Sequence, residues 1–406
     1  MPGSVLIIVE NLPVPFDRRV WMEATTLRSA GWDVAVVCPT GRGFEAVFEV
    51  VEGVRIFRHS LPTEGNGLVG YLREYTAALW AESRLARRAW RELRFDVVHI
   101  CNPPDLLFLV AGWYKVCHGA RIVFDHHDIM PELYEAKFGR RDLAYGLVRA
   151  AERMTFAVAD MVIATNESYR RIALTRGHKD PGRVVVVRSA PELSRFRPVE
   201  SDPACRRGRR FLVGYVGVMG PQEGLDYLLR AVSIIVKDKA RTDISFTLIG
   251  SGPSLPSLQL MAERLGVAGH VAFTGRIPDE DLIRHLSSCD VCVSPDPLTP
   301  FNDASSMNKV LEYMALGKPA VQFDLTEGRR SAGGASAYAR PNDARHLAET
   351  ILGLLDDEDS RVRMGREGLR RMADELEWRY QAPRLIQAYD CLLGSPMRKL
   401  ADNRVR

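Results

Sequence analysis

The chain is predicted to fold as two doubly wound α/β units in tandem, and three observations predict it. Short continuous runs of Val, Ile and Leu alternate with longer stretches of helical periodicity, the pattern of parallel strands covered by helices on both faces. That alternation stops at RFRPVESDPACRRGRR (195–210), rich in Pro and charge, and then starts again. A length of 406 residues also exceeds the usual reach of one hydrophobic core, so two units of roughly 200 residues each are expected.

In the first unit the predicted strands are VLIIVE (5–10), WDVAVVCP (32–39), VRIFRH (54–59), DVVHIC (96–101), ARIVFDHHD (120–128), ADMVIATN (159–166) and RVVVVRSA (183–190). The second unit offers FLVGYVG (211–217), ISFTLIGSG (244–252), HVAFTG (270–275), DVCVSP (290–295) and PAVQFD (319–324). The boundaries predicted are 1–198 for the first domain and 199–378 for the second, with 195–210 as the linker. The last segment, 379–406, contains most of WRYQAPRLIQAYDCLL and is expected to return to the first domain. Sheets of this kind bind ligands at the carboxyl ends of their strands, so two facing units are expected to enclose a central cleft.

Composition removes several classes. Lys+Arg 55 against Asp+Glu 51 leaves a net charge of +4, far below the basic excess of a protein that binds phosphate backbones, so nucleic acid is not expected as a partner. Seven cysteines scattered along the chain suit a reducing compartment. Cys289 and Cys292 form a C-x-x-C inside SSCDVCVSP, which reads as a buried strand rather than a redox or zinc motif. MPGSVLIIVENLP lacks the basic and small-residue flanks of a signal peptide and reads as a first strand. No run approaches the roughly 20 apolar residues of a membrane span, and a cytoplasmic protein is expected.

DASSMNKVLEYMALGKP (303–319) carries the most chemistry. Val310, Leu311, Met314, Ala315 and Leu316 fall on one helical stripe, with Glu312 and Tyr313 off it and a Gly-Lys-Pro stop after it. Ser305 or Ser306 is expected to cap the helix, whose open amides and dipole would seat an anion. Taken alone, the segment reads equally well as a solvated surface helix.

Together these motifs resemble the retaining glycosyltransferases of family 4, with the GT-B architecture of two Rossmann-like domains. The residues that carry the resemblance are RRVWMEATTLRSAGWDVAVVCP, DVVHICNPPD, VFDHHDIMPELY and ADMVIATNES in the first unit. In the second they are YVGVMGPQEGLDYLLRA, FTLIGSGP, FTGRIPDEDL, CDVCVSP and NKVLEYMALGKPAV. The chain is similar to the subgroup that assembles cell-surface polysaccharides and glycoconjugates. The resemblance implies a nucleotide-sugar, most simply a UDP-sugar, held mainly by the second unit as substrate, with no cofactor. The acceptor, a glycan, small molecule or lipid-linked sugar, would lie on the first.

By that resemblance Glu312 would bond the donor ribose, and a carboxylate can accept from both hydroxyls. The family usually has another Glu eight positions earlier, at the sugar ring; here that position is Ala304, and Asp303 next to it is the candidate substitute. Gly217, Gly220 and Gly224 match the glycine loop at the pyrophosphate. Val218 and Glu223 stand where relatives commonly place an Arg and a Lys, so Lys309 is the first choice of phosphate counter-charge, with Arg18 and Arg19 the second. Ser306 and Asn308 join Lys309 at the donor. Gly250, Gly252 and Arg276 resemble the loops around the nucleobase, although ordinary turn chemistry explains them as well. His127 matches the histidine beside the transferring sugar, and strand alternation allows either His126 or His127 to face inward.

No D-x-D pair follows a strand where it would hold a divalent cation against a diphosphate, and Asp356, Asp357 and Glu358 read as a solvated helix end, so no metal is implied. The stretch YLREYTAALWAESRLARRAWRELR (71–94) mixes Trp80 and Trp90 with Arg84, Arg87, Arg88, Arg91 and Arg94. It reads as a packed domain helix or as a peripheral contact with the inner face of the membrane, diluted by three acidic residues. Two alternatives to the transferase remain at this point: a GT-B epimerase or phosphorylase, and a non-catalytic sugar-nucleotide-binding subunit.

Overall fold

The computed structural model describes residues 3–41, 43–60, 67–193 and 195–394, without side chains for 67–75. The chain divides into two compact units. Unit 1 comprises Met1–Glu135, Gly139–Ser189 and Trp378–Arg406; unit 2 comprises Ala136–Phe138 and Ala190–Glu377.

Unit 1 is built on β1 (Ser4–Val9), β2 (Asp33–Pro39), β3 (Phe48–Val51), β4 (Val54–His59), β5 (Val97–Cys101), β6 (Arg121–His126), β7 (Met161–Ala164) and β8 (Val184–Val186). Their order is β3-β4-β2-β1-β5-β6-β7-β8, parallel except for the antiparallel β3. Val5 through Val9 are fully buried, as expected of a strand with helices on both faces. Unit 2 contains β9 (Phe211–Val216), β10 (Ile244–Ile249), β11 (Val271–Gly275), β12 (Val291–Ser294), β13 (Ala320–Phe323) and β14 (Ser336–Ala339), all parallel, in the order β11-β10-β9-β12-β13-β14. Strand order reverses beside β1 in the first sheet and beside β9 in the second, between β1 and β5 and between β9 and β12. The crevices outside the carboxyl ends of these pairs are where such sheets take ligands.

Two expectations change, and a third agrees with the structure. The segment 195–210 is not a linker. Phe196 is buried with Leu212 and Leu286, and Arg206 grips Asp290 at 2.6 and 3.0 Å, so this stretch belongs to unit 2 and the division falls at Ser189/Ala190. Strands β3 and β14 had no expected counterpart, because FEVV is a half-exposed edge and SAYA is short and built of small residues. The final helix, Trp378–Leu392, does belong to unit 1, where Leu385, Ala388, Tyr389 and Leu392 join the core of β1 and β2 and Trp378 Nε1 donates to Thr26 at 2.9 Å.

All seven cysteines are free thiols. Cys289 and Cys292 are buried, with the Cys289 thiol pushed up by its bond to Cys292 and by burial. Among the described residues no helix is long and apolar enough to cross a membrane.

Candidate functional site

In unit 2 the residues singled out from the sequence gather at the carboxyl ends of β9, β10 and β12. The helix Asn308–Ala315 is pinned there by Tyr313, whose hydroxyl donates to the Val293 carbonyl at 3.1 Å and accepts from the Val216 amide at 3.0 Å. Tyr313 was expected off the buried stripe. It is fully buried, because its ring bridges the ends of β9 and β12. That anchor leaves the neighbouring Glu312 half-exposed at the switch point.

The expected cap is absent. Met307 occupies the cap position with no side-chain bond, and Ser305 is buried with its hydroxyl donating to the Phe301 carbonyl at 2.7 Å. Ser306 is half-buried and Asn308 is exposed on the first turn.

The glycine loop folds onto its own chain. Gly224 has φ +66°, and a β-carbon there would strike the Pro295 carbonyl; one on Gly250 (φ +133°) would strike that of Gly217. The amides of Gly217 and Met219 donate to Ile249 and Ser251 at 3.1 and 3.0 Å, which takes those two donors from any phosphate. Gly220 opens the short turn Pro221–Glu223, and Gly252 packs on the Met219 backbone. The Gly250 amide bonds to Gly275 at 2.9 Å, which brings the exposed Arg276 to the β10 loop.

Lys309 is not an open counter-charge. Its ammonium lies 2.6 Å from Glu223 and 2.8 Å from Asp296, over the Tyr215 ring, and the residue is only 8% exposed. Burial alone would lower its pKa, but Asp296, Tyr215 and Glu223 hold it well above the ordinary lysine value. Ser294 donates to Asp296 and Tyr215 to Glu223, completing a buried cluster of one positive and two negative groups. Asp303 is also committed elsewhere. Its carboxylate accepts from the Thr326 amide at 2.7 Å and hydroxyl at 3.0 Å, capping the next helix rather than replacing the glutamate missing at Ala304. Asp357 likewise accepts from the Ser360 amide at 2.9 Å at its helix start.

Sequence reasoning missed Asp296, Tyr215 and Asn302. Buried Asn302 donates to the Gln222 and Pro297 carbonyls, each at 2.9 Å, and ties the glycine loop to the β12 loop. Their only sequence signal is position: each follows or ends a strand, or lies just before the acidic helix.

In unit 1 the second group lies at the end of β6. His126 is buried against Phe124, Phe156 and Tyr169, and its pKa falls to about 3 by burial. His127 is the partly exposed one of the pair. Beneath it Asp125 is fully buried, accepts from Arg19 at 2.7 and 2.9 Å and lies within hydrogen-bond distance of His127 Nε2. Burial would raise the Asp125 pKa, but Arg19 and His127 drive it well below the carboxylate range. Arg19 Nε always carries hydrogen and donates to Asp125 Oδ2 at 2.9 Å. Arg19 Nε also lies 3.1 Å from His127 Nε2, so the imidazole, the guanidinium and the carboxylate share one contact.

Arg19 donates further to Val187 at 3.0 Å and Ser189 at 3.2 Å and pairs with Glu23 at 3.2 Å. It is a buried clamp bonded to protein partners and not an open counter-charge, which tells against the Arg19 half of the second choice. Arg18, one residue earlier, is half-buried at the helix start. Glu23, His99, Cys101 and Asp125 bring ligand-type atoms within 4.8 Å of one another, a group able to hold a metal ion, and the Arg19 guanidinium supplies positive charge at two of them. Asp125→Asn is expected to change the tautomer balance of His127, because it alters what Nε2 faces. Nitrogen-15 correlation spectra of the histidines read this directly, and an unchanged pattern would remove Asp125 as the orienting group.

The pattern described as "Glycosyl transferase 4-like domain" matches residues 17–190, and "Glycosyl transferases group 1" matches 210–357. The D-inositol 3-phosphate glycosyltransferase of Thermomonospora curvata is 28% identical over 86% of this chain and 84% of its own. The phosphatidyl-myo-inositol mannosyltransferase of Mycolicibacterium smegmatis is 24% identical over 97% and 94%. Among solved structures, sucrose-phosphate synthase from Thermosynechococcus elongatus superposes with a TM-score of 0.80 at 19% identity, covering 97% of this chain and all of that one. Anabaena HepE, solved with UDP-glucose, gives 0.70 at 15% identity, over 96% of this chain and 100% of its own. Matched in both of its units, the chain belongs to glycosyltransferase family 4 and is a glycosyltransferase of the GT-B fold.

Proposed function

We propose that this enzyme moves a hexosyl or N-acetylhexosaminyl group from a nucleotide-sugar, a UDP-sugar by first choice, to an acceptor hydroxyl. Transfer would proceed with retention and without a divalent cation, in polysaccharide or glycoconjugate assembly. The observation that carries this reading is Glu312, held half-exposed at the β9/β12 switch point by the buried Tyr313. There it is suited to accept from two ribose hydroxyls. With Lys309 spent on two carboxylates, the diphosphate would rely on the start of the helix Asn308–Ala315, whose cap has no side-chain bond.

His127 would contact the donor sugar. Relatives named for inositol phosphate and phosphatidylinositol acceptors favour a phosphorylated polyol or lipid-linked acceptor on unit 1. Unit 2 would carry the donor.

A thermal-shift panel of UDP-, GDP-, ADP- and dTDP-sugars tests the donor, because only a ligand of the folded state raises the melting temperature. One base series is expected to stand out, and the donor so found should be turned over equally with and without EDTA. No shift with any donor would remove the reading, and loss of turnover in EDTA would remove its metal independence.

A further inference from the structure

On unit 1 three neighbouring helices turn apolar side chains outward. Helices on a sheet normally bury the apolar stripe and show the polar one. Leu143–Val158 instead exposes Leu143, Leu147, Ala150, Met154 and Ala157, spaced by four, three, four and three residues along one outer line, with Leu143 at 82%. Phe108–His118 exposes Leu109, Trp113 and Val116 in the same way, Val116 at 85%. Gly67–Leu93 adds Trp80 at 66%. The three lie side by side. His118 stacks on Trp90 at 4.3 Å, and Lys115 donates to the Val158 carbonyl at 2.7 Å. Trp80, Arg84 and Arg87 share a groove of about 490 Å³ with Leu109.

The charge around this face is mainly positive. Arg84, Arg87 and Arg91 continue the line of Trp80, and Arg149 and Arg153 flank the apolar line of the third helix; all five are exposed. Glu82 and Glu152 point inward and are fully buried, while Glu92 faces Arg88 at 3.5 Å. Of the acidic residues that dilute the basic helix in sequence, Glu82 thus turns away from the outer surface and Glu92 is paired on it.

We propose that this three-helix face of unit 1 docks on an anionic bilayer, with Trp80, Trp113 and the Leu/Val/Met line in the headgroup boundary and the arginines on lipid phosphates. Tryptophan and arginine around an apolar face match that boundary. A second copy of the same face would set arginine against arginine. The proposal rests on the surface alone and stands whether or not the donor reading holds.

The test is flotation of the full chain with vesicles of phosphatidylcholine containing 30% phosphatidylglycerol, and with phosphatidylcholine alone. Flotation is expected on the anionic vesicles, with a blue shift of tryptophan emission, and only weak flotation on the neutral ones. Arg84→Gln with Arg87→Gln should lower partitioning about fivefold per arginine, and Trp113→Ser with Leu147→Ser about tenfold or more. All four side chains are exposed, so melting curves should match wild type. Failure of the wild type to float, or unaltered flotation of Trp113→Ser/Leu147→Ser, would overturn the proposal. So would lipid-free self-association abolished by that pair, which would assign the face to a second copy.

Discussion

Exchanging Lys309 for methionine is expected to destabilise unit 2 by about 3–5 kcal/mol, because it leaves two buried carboxylates facing each other without their cation. Asp296 is 2% exposed, and the side chain of Glu223 16%, so little solvent screening softens the loss. The melting temperature should fall by roughly 10 °C or more. The folded-state pKa of Lys309 is raised, so its contribution is complete at neutral pH and fades only as pH climbs beyond the ordinary lysine value of 10.5. Adding Glu223→Gln and Asp296→Asn to Lys309→Met should recover much of the stability, since the uncompensated charge is then gone. A Lys309→Met protein as stable as wild type would show that the ammonium is solvated and available to ligand.

Glu312→Ala should act in the opposite manner, on ligand rather than on fold. The side chain is half-exposed and its helix is held by Tyr313, so stability should change by less than about 1 kcal/mol. Loss of two charge-assisted bonds to ribose should weaken the donor by about 3 kcal/mol, roughly a hundredfold, with a comparable fall in transfer. The two substitutions sit three residues apart on one helix and separate its structural face from its binding face.

Sequence alone disclosed the acidic helix and the succession of strands apart from β3 and β14, since both depend on local periodicity. Long continuous Val/Ile runs such as Val5–Val9 and Val34–Val37 cannot be mistaken for helix beside their glycine turns. It did not disclose where charges are spent. Lys309 meets Glu223 and Asp296, and Arg19 meets Asp125, across 86, 13 and 106 residues of chain. Nothing in the local pattern marks a lysine after Asn or an arginine at a helix start as already neutralised. Asp303 misled for the same reason, because its partner Thr326 lies 23 residues away in a helix that needed a cap. The aromatic anchor Tyr313 was hidden by helical phase. A tyrosine one position off an apolar stripe looks solvated until the strand ends that receive its hydroxyl are known.

Glu312 at the donor ribose is the central assignment, and a double-mutant cycle between protein and ligand tests it most directly. The measurement is the dissociation constant of the preferred nucleoside diphosphate and of its 2′,3′-dideoxy analogue, each with wild type and with Glu312→Ala. Removing the ribose hydroxyls should weaken binding to wild type roughly a hundredfold and leave binding to Glu312→Ala almost unchanged. An equal loss in both proteins would contradict the assignment and move the ribose away from Glu312.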